Sequence, residues 1–464
     1  MKMIRITLNE KKSGKDMSII TNLYACKGFM VLGLWVGCAI FLSPQPAKAQ
    51  LLKPASPYVP GRYIVLFHEG HAESVPGVIT QMSAEIGLHV VHHYDGQGFA
   101  GHLSDSALAR LRNDPRVAHI EQDQEVRIQA QPDGQRIRTA KGTRSNLVKP
   151  KPKAVPVRNS QTIPWGITRI NAGNSSTKSG DGAGSVDIDV AVIDTGIDLK
   201  HPDLKIVGGK NFTNGGISNY GDGYGHGTHV SGIIAAMDNT IGVVGVAPGA
   251  RLWSVRVMDN TGSGYMSGVI AGVNYVTSNA RTIKIANMSL DGGESKALQM
   301  AIDKAVAAGV TVVGAAGNES TDCRTSCPAN SINTGFITAS ALDLDGNLAD
   351  YSNYGRNYQD DGGAENGVDV IAPGSNIYST YKGGTYATLS GSSMATAYVT
   401  GVAALCKVAN PSFKPDQIRA SLMRSAPPSF LGTSGKAIFG ISPWSAAKGD
   451  PDNFYEPLVN AGAY

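Results

Sequence analysis

An α/β fold with a largely parallel sheet and helices on both faces, preceded by a small α+β domain, is what this 464-residue sequence predicts. Three observations carry that reading. From residue 160 onward, apolar runs of strand length at 188–193, 252–257, 283–288, 310–315, 335–339 and 368–372 alternate with helical stretches at 226–237, 267–279, 296–308, 393–409 and 415–425. Alternation of this kind builds parallel sheets covered by helices on both sides. Polar residues with chemical potential, Asp194 and Asn318, fall just after apolar runs, where open α/β sheets collect their functional groups. Finally, a basic, proline-containing stretch separates this region from a smaller one before it.

In chain order, residues 1–49 read as a signal peptide. A basic stretch ends at Lys27, residues 29–42 are uncharged and apolar, and Ala47-Lys48-Ala49 places small residues before Gln50. The apolar run is shorter than the roughly 20 residues that span a bilayer. No stable membrane span is therefore expected, the alternative being an uncleaved anchor, and the product is expected to be secreted, extracellular or periplasmic.

Residues 50–130 form the small domain. Within it, 63–67, 98–103 and 117–123 read as strands and 104–111 has helical spacing. Residues 131–159 are a basic, proline-containing linker, with eight basic residues and one acidic residue between 131 and 158 and the run Lys149-Pro150-Lys151-Pro152-Lys153. Alternating proline favours an extended, solvated chain. The stretch lacks aromatic residues for base stacking, which argues against nucleic-acid binding. Residues 1–159 hold 21 Lys+Arg against 12 Asp+Glu, or +9, and residues 160–464 hold 20 against 25, or −5. That asymmetry predicts attraction between leader and main domain.

Three short segments carry the chemistry: Asp194-Thr195-Gly196, His226-Gly227-Thr228-His229 and Gly391-Ser392-Ser393-Met394-Ala395. A serine hydroxyl is a weak nucleophile until a base takes its proton, and the base needs a buried carboxylate to hold its tautomer. The order acid, base, serine differs from that of two other well-known serine hydrolase classes. With a fourth block, Gly314-Ala315-Ala316-Gly317-Asn318, these segments resemble the subtilisin-like serine proteases, the subtilases, across nearly the whole chain after the signal region. The resemblance implies a serine endopeptidase made as a zymogen, acting on polypeptides through an acyl-enzyme intermediate. Residues 160–464 are its expected catalytic domain, and 50–130 its inhibitor-type propeptide, whose tail plugs the active site. A monomer is expected.

Position by position, the resemblance assigns the nucleophile to Ser393, the base to His226, the orienting acid to Asp194 and an oxyanion donor to Asn318, beside the N–H of Ser393. Substrate would add as a strand between Gly262-Ser263-Gly264 and Ser289-Leu290-Asp291-Gly292. Asp291 replaces a glycine common in relatives and is expected at the rim of the primary specificity pocket. A structural calcium ion is implied at Gln161, Asp203 and Asn239 with the carbonyls of Met237, Ile241 and Val243, an oxygen-only set that suits calcium rather than zinc. Ala397 stands where the family usually has proline, so the helix under Ser393 is free of that constraint. Of the five cysteines, Cys323 and Cys327 lie in a polar loop of an exported domain, and a short disulfide between them is expected; Cys406 reads as a core residue. A non-catalytic homologue would need a lost triad residue, and an esterase would need the Gly-x-Ser-x-Gly elbow; neither condition is met.

Overall fold

The computed structural model describes residues 57–70, 74–86, 88–128, 131–132, 154–155, 160–355, 367–425 and 456–464. The signal peptide, most of the linker, and Cys26 and Cys38 lie outside these residues. The strands are β1 (Tyr58–Phe67), β2 (His89–His93), β3 (Gly98–His102), β4 (Val117–Arg127), β5 (Gln131–Pro132), β6 (Asp189–Asp194), β7 (Ile206–Asn211), β8 (Arg251–Arg256), β9 (Ser263–Tyr265), β10 (Ile283–Met288), β11 (Thr311–Ala315), β12 (Phe336–Leu342), β13 (Val370–Pro373), β14 (Ile377–Tyr381) and β15 (Thr385–Ser390). The helices are α1 (Ser74–Ile86), α2 (Asp105–Arg112), α3 (Trp165–Arg169), α4 (His226–Ala235), α5 (Met266–Ser278), α6 (Lys296–Ala307), α7 (Ser392–Ala409) and α8 (Pro415–Arg424).

A seven-stranded sheet in the order β13-β12-β11-β10-β6-β8-β7 forms the centre, and every described pairing in it is parallel. Its strands β6, β11 and β12 are buried along their full length, as a sheet covered on both faces requires. That is why they read as continuous apolar runs. Helices α4 and α7 pack together against one face, and α5 and α6 pack together against the other. The edge strand β7, with Gly208 and Gly209 and mostly partial burial, carries no such run.

The N-terminal domain is an antiparallel sheet, β2-β3-β1-β4, whose own core is Val65, Phe67, Phe99, Leu108 and Leu111. β9 of the large domain joins this sheet beside β4, so one sheet crosses the domain boundary. Two acidic side chains reinforce the junction. Asp123 is fully buried, accepts the Ser267 N–H at 2.9 Å and hydroxyl at 2.6 Å, and pairs with Arg62 at 2.6 Å. Glu121 accepts the Ser295 hydroxyl at 2.5 Å and the Ala297 N–H at 3.1 Å. Carboxylates therefore sit on the first turns of α5 and α6, where free N–H groups and the helix dipole favour negative charge. Although the leader is basic overall, these particular contacts come from its acids.

Candidate active site

Asp194 closes β6, between β8 and β10, and is fully buried. His226 opens α4. Its Nδ1–H donates to both Asp194 oxygens, at 2.8 and 2.9 Å, which leaves the lone pair on Nε2. That Nε2 is buried and has no hydrogen-bond partner among the described residues. Two residues not singled out from sequence hold this pair. The Asp222 carboxylate accepts the N–H groups of Tyr224, Gly225 and Thr228 at 2.7–2.9 Å and so caps α4. Thr195 donates its hydroxyl to Asp222 at 3.0 Å and accepts the Gly227 N–H at 2.9 Å, tying the end of β6 to the helix. A Cβ at Gly227 would stand 2.1 Å from Gly196 O and 3.2 Å from Asp194 Oδ1, so only glycine lets α4 approach the carboxylate. The sequence signal for Asp222 is an aspartate a few residues ahead of a helix start.

Ser393 is the second residue of α7, which runs unbroken through Ala397. Its hydroxyl donates to Ser289 O at 3.3 Å, and its own carbonyl accepts the Ser289 hydroxyl at 2.9 Å. The Asn318 side-chain oxygen accepts the Ser392 N–H at 2.7 Å. Because that partner is a donor, the amide orientation follows, and the NH2 group is turned away from Ser392. The Ser392 hydroxyl accepts the Gly317 N–H at 3.2 Å.

The leader crosses this site. At the end of β4, Arg127 pairs with Ser263 on one side and with Asp291 on the other, Val126 pairs with Gly264, and beyond the strand the Ile128 N–H donates to Gly262 O at 2.9 Å. Gln131 and Pro132 then pair with Ser390 and Leu389, just before α7. Gly262, Ser263, Gly264 and Asp291 thus contact the strand directly. Leu290 is buried, and Gly292 is turned to Cys327, with which it exchanges two backbone hydrogen bonds of 3.0 Å. Asp291 is half-buried, and its carboxyl meets that of Glu319, the residue after Asn318.

The expected disulfide is absent. Cys323 and Cys327 are both buried free thiols. Cys323 packs with Ala316, Ala329 and Val368, whereas Cys327 belongs to the main core and directs its Sγ to Asn330 Oδ1 at 3.1 Å. The two thiols are held in separate apolar environments, and burial pushes that of Cys327 up to about 12 and that of Cys323 upward as well. Cys406 is buried on α7 as expected.

The residues expected to hold calcium do converge. Asp203 is buried and accepts the Asn239 amide at 2.8 Å, the Val243 N–H at 3.0 Å and the Tyr386 hydroxyl at 3.1 Å. Asn239 Oδ1 accepts the Ile241 N–H at 2.7 Å, and the Gln161 amide donates to Met237 O at 3.0 Å. One carboxylate among amide and carbonyl oxygens is the donor chemistry of a hard cation. The set fits calcium in kind, and an ion there would compete with the Asn239 amide for Asp203.

Comparison with known proteins agrees with this geometry. The subtilase family model matches residues 186–452 and the peptidase inhibitor I9 model matches residues 62–129. M-protease of Shouchella clausii (strain KSM-K16) is 36% identical over 378 residues, 79% of this chain and 86% of that protein. Subtilisin Savinase of Lederbergia lenta is 43% identical over 267 residues, 57% of this chain and 92% of that protein. The crystal structure of a cold adapted subtilisin-like serine proteinase, 31% identical, superposes with a TM-score of 0.51 over 66% of this chain and 99% of that one. This chain is a member of the subtilase family of serine peptidases, joined to an inhibitor-type propeptide domain.

Proposed function

We propose that this serine protease is exported as a zymogen and cleaves peptide bonds through Asp194, His226 and Ser393. The observation that carries the reading is the buried Asp194–His226 pair, with the propeptide paired as a strand to Ser263 and Gly264 and again to Leu389 and Ser390 just before Ser393. In the attack, the Ser393 hydroxyl leaves Ser289 O and gives its proton to His226 Nε2 as Oγ bonds to the scissile carbonyl carbon. Asp194 stabilises the imidazolium that forms. The oxyanion is met by the Ser393 N–H at the start of α7 and by the Asn318 amide. His226 then returns the proton to the leaving amine, and water releases the acyl group by the same steps in reverse roles.

The tail also bears on the first self-cleavage. Arg127 is opposite Asp291 in antiparallel register, and Gln131 and Pro132 pair with Ser390 and Leu389 just before α7, so the proposed cut falls between these two anchored stretches. The bond assigned to the first cut is Gln129–Ala130, whose two residues lie outside those described. A bound calcium ion would neutralise Asp203 and pin residues 237–243 to Gln161; it takes no part in the steps above. Among the described residues no helix is long and apolar enough to cross a membrane, and export rests on the N-terminal sequence. Labelling with a fluorophosphonate and mapping of the modified peptide tests the mechanism: Ser393 should carry the label, and labelling elsewhere, or equal labelling of Ser393→Ala, overturns it.

A further inference from the structure

We propose that Asp291 and Glu319 share one proton as a carboxylic acid–carboxylate pair in the wall of the pocket for the residue before the scissile bond. The pair then carries one negative charge in neutral solution and two in alkaline solution, and so sets a pH-dependent preference for arginine at that position. The proposal rests on the proteolytic reading above.

The placement follows from the sheet. β10 and β11 are parallel neighbours with Met288 opposite Gly314. Past their ends the chain continues as residues 289–292 and 316–319, the two walls of a crevice at the C-terminal edge of the sheet. The leader strand lies on the first wall at Asp291. Glu319 belongs to the second wall, where its Oε2 accepts the Asn318 N–H and the Asn353 amide, each at 3.0 Å. Its Oε1 is buried and finds no donor. Across the crevice stands the Asp291 carboxyl, which also meets the Ser326 hydroxyl and the Gly292 N–H.

Two ionised carboxylates in contact repel, and a single proton between them removes the repulsion and supplies the missing donor. Burial, with the Glu319 charge beside it, pushes Asp291 up to about 8. Below that pH Asp291 is a neutral acid and Glu319 carries the pair's charge. Above it Asp291 loses its proton to solvent and the charge doubles. Among the described residues the Cys327 thiol, pushed up to about 12, faces Asp291, with the Glu121 and Glu294 carboxylates near that thiol. Arg127 of the leader spends its guanidinium on Glu125 and departs with the propeptide. The linker carries Arg158 near its end, so a cut after Arg158 would accelerate at alkaline pH relative to one after Gln129.

Two measurements test this. The first is the ratio of kcat/KM for paired peptides with arginine or glutamine before the scissile bond. It should rise about tenfold between about pH 6.5 and about pH 9.5. In Asp291→Asn the amide donates permanently to Glu319, and the ratio should be flat. In Glu319→Gln burial alone still holds Asp291 above its ordinary value, so the rise should move to lower pH and end at one negative charge, no higher than the parent's ratio in neutral solution. A flat parent profile, or a rise that survives in Asp291→Asn, overturns the proposal. The second is infrared detection of a protonated carboxyl in the Ser393→Ala precursor. Its carbonyl band should persist at neutral pH, disappear with a midpoint near 8 and be missing when Asp291→Asn is added. Absence of the band from the precursor overturns the pair, and it does so even if no peptide is cleaved, a result that would count against the proteolytic reading instead.

Discussion

Replacing Asn318 with alanine separates two jobs that one side chain performs. Its oxygen holds the Ser392 N–H at 2.7 Å, and its NH2 group is the donor assigned to the developing oxyanion. Losing an oxyanion donor lowers kcat by about 10²–10³, or about 2.7–4 kcal/mol of transition-state stabilisation. Because the ground-state carbonyl gains little from that donor, KM should stay within about threefold. Losing the acceptor leaves the N–H of Ser392 unpaired at the start of α7, at a cost of about 1–3 kcal/mol of stability. Asn318→Asp keeps the acceptor and removes the donor, so it should lose kcat as severely while its Tm falls less. The assay is kcat, KM and Tm for both variants, each matured by a trace of parent enzyme because self-cleavage will be slowed in proportion. A kcat within threefold of the parent in Asn318→Ala, or a loss confined to KM, would refute the assignment.

Ser393→Ala should accumulate as uncut precursor without fluorophosphonate label; processed protein from that variant, expressed free of other proteases, would sink the mechanism. If Gln161, Asp203 and Asn239 hold calcium, a chelator should lower Tm, since a ligand of the native state alone stabilises it, and Asp203→Ala should abolish that sensitivity; a Tm indifferent to calcium and chelator removes the site. In an activation time course, N-terminal sequencing should find Ala130 first and a start near Ser160 later. The first cut is delivered by the enzyme's own folded leader at high effective concentration, and the solvated linker is then trimmed in trans. A single final N-terminus at Gln131, or one direct cut near Ser160, contradicts the two-step order.

Legibility in the sequence followed burial. The inner strands β6, β8, β10 and β11 were readable within a residue, and β12 and the edge strand β13 within two or three, because a strand covered on both faces reads as an apolar run. The hairpin β14–β15 was not, since Ser379, Thr380 and Thr388 interrupt its apolar residues; nor was α1, whose Pro76 and Gly77 weaken a helical reading. Asp194, His226, Asn318 and Ser393, the residues proposed for the chemistry, could be picked out because each stands in a short local motif. Asp222 and Thr195 were not, since their work is to accept and donate hydrogen bonds that exist only once β6 meets α4.

By itself, the sequence determined the motifs that mark the family, the alternation that makes a parallel sheet, and the presence of an inhibitor-type propeptide ahead of the peptidase region. All of these are properties of neighbouring residues and their spacing. Only the tertiary structure decided that Asp291 faces Glu319, that Cys323 and Cys327 occupy separate packing clusters, and that leader acids cap α5 and α6. Those pairings depend on which strands lie side by side and on which helix end points at which strand. Both are set by the burial of the whole apolar surface at once, so no local pattern encodes them.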